Sequence, residues 1–368
     1  MSVHNLNYKS QLRKLYAFNA LGNISIAGAA WVLLLVSQGY SLIQVGIAET
    51  VFHLVSITCE IPSGVFADVF GRKRSLMMSC LATILSALTR AYWDSFTGVL
   101  VSIAFSALSY NFFTGSDSAL AYDTLAEADR TPDYDRYISN QTIIYRIANG
   151  AATLAAGIAV MIGNTMSQLL SVLIATVQFV VVLGLRENNV ITSRRHISVA
   201  QRFRSTVIES VSFMRGNRRA ALLILRNCIV GAVDILLLFF LQARLPLAGV
   251  TDLLLGPLLF IMSMGGVIGA RASSRVRKWK FGRLFALCLV MVVAGFMASF
   301  TSVPLVMTMG GFLAAFADDM IQIRADIELN NMIPSAQRAT LISVSSFCFS
   351  AVMIVLSPLA GWVFGLQM

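Results

Sequence analysis

Eleven runs of about twenty or more apolar residues, broken by short stretches in which Lys and Arg collect, leave this chain few folds to choose from. They lie at about 15–37, 41–66, 75–93, 97–125, 138–162, 165–186, 219–242, 251–272, 282–301, 303–330 and 338–364. At 1.5 Å of rise per residue, each is long enough to cross a hydrocarbon layer of roughly 30 Å as a helix. Hydrophobic residues make up 57% of the chain and charged ones only 12%. That balance, with a mean hydropathy of +0.75, leaves too little polar surface for a water-soluble globule and predicts an all-α, polytopic membrane protein.

The net charge of +10 does not point to nucleic acid, because Lys and Arg sit in clusters between the apolar runs with few aromatics among them. The clusters are the N-terminus, 72–74, 130–136, 186–219, 271–283 and 338, and they alternate with loops almost free of positive charge. The N-terminus and the central stretch are therefore expected on the cytoplasmic side of a cell inner membrane. The first run is too long for a cleaved signal and reads as an uncleaved span. Between 187 and 218, Val199, Phe203, Val207, Val211 and Met214 recur at helical intervals among arginines, the pattern of an amphipathic helix on the inner leaflet. The five cysteines stand singly inside apolar runs and read as buried thiols, with neither disulfide nor metal-ligand spacing.

The halves repeat at an offset of 202 residues, which pairs Gly64 with Gly266, Asp117 with Asp319, Pro132 with Pro334 and Arg136 with Arg338. Two six-span units follow, with domains at 1–186 and 219–368 around a linker at 187–218. Projected forward, the sixth span would begin again near 367, so eleven of twelve helices are expected and the last is missing.

The turn Gly64–Arg74, reading GVFADVFGRKR, lies between the second and third runs. Its spacing GxxxDxxGRK resembles the loop between the second and third helices of the major facilitator superfamily. The preceding EIPSG, Glu60 to Gly64, looks like a bacterial, drug-efflux-like branch of it. NNMIPSAQRAT, Asn330 to Thr340, is similar to that family's loop between helices ten and eleven. The resemblance implies two pseudo-symmetric six-helix bundles that alternate access to a central cavity. It also implies that Asp68 faces the start of helix eleven and that Arg72 meets Asp123. The chain departs from the family at Asn111, where a helix-four arginine is common, and lacks the GPxxxGG pattern of drug/proton antiporters around Gly150 and Gly157.

A charge inside a span costs roughly 2.5 to 3.5 kcal/mol on insertion scales, so each one asks for a partner, a wet cavity or a function. Glu60, Asp117 and Arg146 lie at similar depths and read as a buried charge network, mirrored in the second half by Arg226, Asp319, Arg324 and Asp326. Asp117 and Asp319, equivalent in the repeat, are the first candidates to carry a proton or meet a substrate. Glu49, Asp234, Asn19, Asn23, Arg146 and Arg226 are further candidates, and His53, one turn from Glu49, either shares its proton or only packs. Glu60, Asp68, Arg72, Asp123, Arg324 and Arg338 are candidate gating residues. No nucleotide loop, metal cluster or nucleophile elbow appears, so no enzyme, cofactor or ATP-driven pump is expected. The leading expectation is a monomeric, proton-coupled exporter, an antiporter of lipophilic or cationic compounds. Uptake of a small anion or metabolite, and a non-transporting scaffold or sensor, stay open.

Overall fold

The computed structural model describes residues 3–187, 208, 212, 215–332 and 338–366. Among them no strand occurs, and nine helices are long and apolar enough to cross a membrane. The protein is a multi-pass membrane protein with an all-helical fold. The amphipathic helix expected over 187–218 falls mostly outside the described residues.

The first expected span is broken into α1 (Val3–Asn23), α2 (Ile26–Ala29) and α3 (Trp31–Ser37). Local side chains explain the break. Asn23 Nδ2 turns back to the Asn19 carbonyl at 2.7 Å and Ser25 Oγ accepts from the Gly28 N–H at 3.1 Å, so both offer the backbone an alternative to a continuous helix. The second span is one helix, α4 (Leu42–Phe70), and the third is α5 (Arg72–Tyr92). The fourth divides at Gly115, whose φ of 80° ends α6 (Phe96–Phe113) and starts α7 (Ser116–Glu127). After a single 3-10 turn come α8 (Tyr134–Leu154) and α9 (Ala156–Leu183), and the boundary read from sequence near 163 is a break inside α9 at Gly163, with φ 81°. The second half follows the sequence reading closely: α10 (Arg218–Leu247), α11 (Asp252–Ala272), α12 (Phe281–Ala298), α13 (Pro304–Met332) and α14 (Arg338–Gly365).

Contacts divide the chain into two compact units, Met1–Ala29 with Leu54–Val199, and Ala30–His53 with Ala200–Met368. In the first, α5 packs on α6 and α9, and α1 on α8 and α9. Lipid offers no hydrophobic gain for helix pairing, and small hydroxyl residues supply it along the α5–α6 seam. Ser79 Oγ donates to the Ser109 carbonyl at 2.9 Å, Ser86 Oγ to that of Ser102 at 2.7 Å, and Ser75 Oγ to that of Phe112 at 2.7 Å. In the second unit α13 is the hub, packed on α10, α11 and α12. The α11 glycines Gly265 and Gly269, four apart, lie against the Phe312 and Phe316 carbonyls of α13, the close approach that small residues permit.

Candidate functional site

The break at Gly115 places Asp117 in the first turn of α7. Ser116 Oγ donates to Ser75 Oγ at 3.0 Å and anchors that turn to α5. Asp117 is 2% exposed. Its carboxylate accepts from Asn19 Nδ2 at 3.4 Å, from Gln141 Nε2, and from Ser118 Oγ at 3.3 Å. Gln141 Nε2 also reaches Asn19 Oδ1 at 3.1 Å, so α1, α7 and α8 meet at one carboxylate. Free N–H groups at a helix start favour an anion there. Tyr137 stacks on Tyr16 at 4.9 Å and faces Tyr134 at 6.3 Å, both Tyr134 and Tyr137 within electrostatic reach of Asp117.

The repeat partner Asp319 sits differently, because α13 runs unbroken through the equivalent position. Asp318 faces Gly231 of α10, Asp319 faces Gly266 of α11, and both interact electrostatically with Asp234 of α10. Three carboxyls thus converge in the second unit, where the repeat singled out only Asp319. Adjacent glycines of α11 separate packing from function here. A Cβ at Gly265 would enter the Phe312 backbone carbonyl, whereas one at Gly266 would displace only the end of the Asp319 side chain. Gly265→Ala is therefore expected to lower the thermal midpoint in detergent by several degrees, from a strain of roughly 1–3 kcal/mol. Gly266→Ala keeps that midpoint within about 2 °C while altering transport; equal midpoints for the two variants would contradict the geometry.

Glu60, Arg146 and Asp326 are exposed, and the hydrogen-bond donors to Asp117 are all neutral. Arg226 lies over the Phe285 ring at 5.0 Å. Arg324, 5% exposed, pairs with Glu328 at 3.3 Å, and Glu328 also takes Arg219 at 3.6 Å. Sequence equivalence missed this because Glu328 is one helical turn from Arg324, a pairing set by α-helix periodicity and not by the repeat. Asn23 faces its own helix, and Asn111 is buried, donating to the Ser56 carbonyl at 3.0 Å and accepting from Ser56 Oγ at 3.1 Å.

At the basic turn Arg72 pairs with Asp68 at 2.7 Å, one turn away, and acts electrostatically on Asp123. The residue that holds the turn is Glu187. Its carboxylate accepts from the backbone N–H of Arg72 at 2.7 Å and of Lys73 at 2.9 Å, capping α5, while Lys73 Nζ donates to the Leu183 carbonyl at 2.8 Å. Nothing in the local pattern at 187 announces a cap for a helix that starts at residue 72. The Arg338 side chain lies outside the described residues.

Glu49 and His53 do more than share a face of α4. Glu49 Oε1 is 3.3 Å from His53 Nε2, and His53 Nδ1 is 3.2 Å from Ser350 Oγ of α14. Among the described residues no group of His, Cys, Asp or Glu is arranged to hold a metal ion, and all five cysteines are free thiols.

Residues 15–358 match the family model of the Major Facilitator Superfamily. The chain belongs to that superfamily. The family is one of transporters moving small molecules across membranes, not of enzymes. This superfamily member is 33% identical over 103 residues to the MFS-type transporter YxaM of Bacillus subtilis (strain 168), a match covering 27% of this chain and 26% of that one. The match thus spans about a quarter of that relative's length. Among solved structures it resembles a mutant of the nucleoside transporter NupG, with a TM-score of 0.78 at 12% identity over 98% of this chain and 97% of that one. A D-xylose–proton symporter gives a TM-score of 0.69 at 11% identity, covering 98% and 94% of the two chains. A bacterial homologue of the human lysosomal transporter Spinster, inward-facing and unoccupied, gives 0.71 at 15% identity over 97% and 82%. At such identities the shared feature is the fold.

Proposed function

We propose that this major facilitator transporter is a proton-coupled exporter of small lipophilic cations, with Asp117 as a coupling carboxylate. The observation that carries the reading is the neutral donor set around Asp117. A buried carboxylate locked to an arginine leaves an unpaired cation when it is protonated, which costs several kcal/mol, about 3–5 in measured cases. Held by Asn19, Gln141 and Ser118, Asp117 gains or loses its proton without stranding a charge. Amides and hydroxyls adapt to either state, since each carries both donors and acceptors. The converging carboxyls of Asp234, Asp318 and Asp319 offer a cationic substrate groups that can exchange a proton for it. The two sequence repeats act as the two bundles, and the protein works as a monomer in the inner membrane with its N-terminus in the cytoplasm.

The test uses purified protein in proteoliposomes and a panel of quaternary ammonium dyes and lipophilic amines. Imposing a pH gradient is expected to raise net dye movement at least about tenfold, the yield of roughly one pH unit if one proton is exchanged per substrate. Equal fluxes with and without the gradient across the panel would reject proton-coupled export and favour a passive or scaffolding role.

A further inference from the structure

The chain Glu49–His53–Ser350 is not used by the reading above, and its geometry is that of a second titratable site. His53 is 6% exposed and Ser350 is 6% exposed. Phe52 and Phe349 stand edge-on to the imidazole at 5.4 and 5.8 Å. Around it α4 and α14 approach backbone to backbone. A Cβ on Gly46 would enter the Ser357 carbonyl, one on Gly361 would enter that of Leu42, and Thr50 Oγ1 donates to the Ile354 carbonyl at 3.3 Å. We infer that Glu49, His53 and Ser350 together form a proton-binding site, which clasps the first half of α4 onto α14 when loaded and loosens it when empty.

The hydrogen bonds themselves do not change with the proton. With a neutral ring, Nε2–H donates to Glu49 and Nδ1 accepts from the Ser350 hydroxyl. With a charged ring both nitrogens donate, and the same hydroxyl accepts instead. What changes is net charge, from minus one to zero. That difference matters because of the surrounding groups. On α4 the titratable neighbour is Glu49; Cys348 of α14 interacts with Cys228 of α10, and beyond Phe349 the α10 and α13 helices bring Asp234, Asp318 and Asp319. The Phe349 ring and the Asp318 carboxyl lie against the same glycine, Gly231. An empty site leaves a net negative charge buried against the Phe52 and Phe349 rings; a loaded one is a neutral ion pair. The proton comes from water and returns to it, with no bond made or broken elsewhere. This inference relies on the proton-coupled reading only for its role in transport, and the binding itself is tested without any substrate.

Hydrogen exchange of the full chain in nanodiscs, corrected for intrinsic rates, reads the clasp directly. Amides of 42–53 and 350–361 are expected to be protected at least about tenfold better at pH 6 than at pH 8, by linkage to one proton. His53→Gln and Glu49→Gln are each expected to erase that difference. Nitrogen NMR of labelled histidine on the unmutated chain, which has only three, reads His53 without any substitution at the site and covers the case in which His53→Gln misfolds. Protection independent of pH in the unmutated chain, a pH effect that survives in His53→Gln, or a His53 ring that holds one protonation state from pH 5 to 8 would each overturn the proposal. Failure of dye transport with these pH effects intact would instead count against the export reading.

Discussion

Asp117→Asn is expected to leave insertion and folding intact and to uncouple transport. Asn keeps the shape of Asp, and with its Oδ1 toward the Asn19 and Gln141 amides its Nδ2 group faces the Ser118 hydroxyl, which turns from donor to acceptor. The structural cost is then roughly 1–2 kcal/mol, that of one reorganised buried hydrogen bond. The functional cost is larger, since the variant has no proton to exchange. A coupling energy of about 1–3 kcal/mol sets a loss of roughly 5- to 150-fold in gradient-driven accumulation, with substrate exchange at equal pH retained. Both are measured in proteoliposomes with the substrate identified from the dye panel. Proton-driven accumulation equal to that of the unmutated protein would remove Asp117 from the mechanism.

Gly71→Ala is expected to be among the most destabilising single-methyl changes in the chain. Gly71 stands at φ 104°, ψ 156°, a region essentially reserved for glycine, and forcing alanine into it costs about 1–3 kcal/mol. The new Cβ would also enter the Glu187 carboxyl that caps α5. Together these predict a fall in the thermal midpoint of roughly 2–5 °C in detergent. The double variant Gly71→Ala/Glu187→Ala separates the two causes. With the carboxyl gone the clash is relieved, so the effects should be less than additive by about 0.5–1 kcal/mol. Strict additivity would mean that Glu187 does not sit where the hydrogen bonds place it.

Span positions were legible because spanning needs only length and apolarity, which are local properties of the chain. From α10 to α14 the read boundaries and the observed ones differ by no more than about five residues. The broken first run was not legible, since Asn19, Asn23 and Ser25 act through hydrogen bonds too weak to show in a hydropathy window. Of the candidate residues, Asn19 and Asp117 proved to be neighbours, and Arg72 acts on both Asp68 and Asp123. Glu60 is exposed where Asp117 is buried, since equal depth in a membrane says nothing about which way two side chains face.

The sequence by itself determined that this is a multi-pass helical membrane protein of the major facilitator superfamily, and roughly where each helix lies. Those properties follow from runs of apolar residues and from one short loop. Only the tertiary structure decided who meets whom: Gln141 with Asp117, Glu187 with the start of α5, Ser350 with His53, and Asp318 with Asp234. Partners from 24 to 297 residues apart in sequence are joined by the rotation of each helix about its axis. Packing against neighbours fixes that rotation, and no local pattern of residues encodes it.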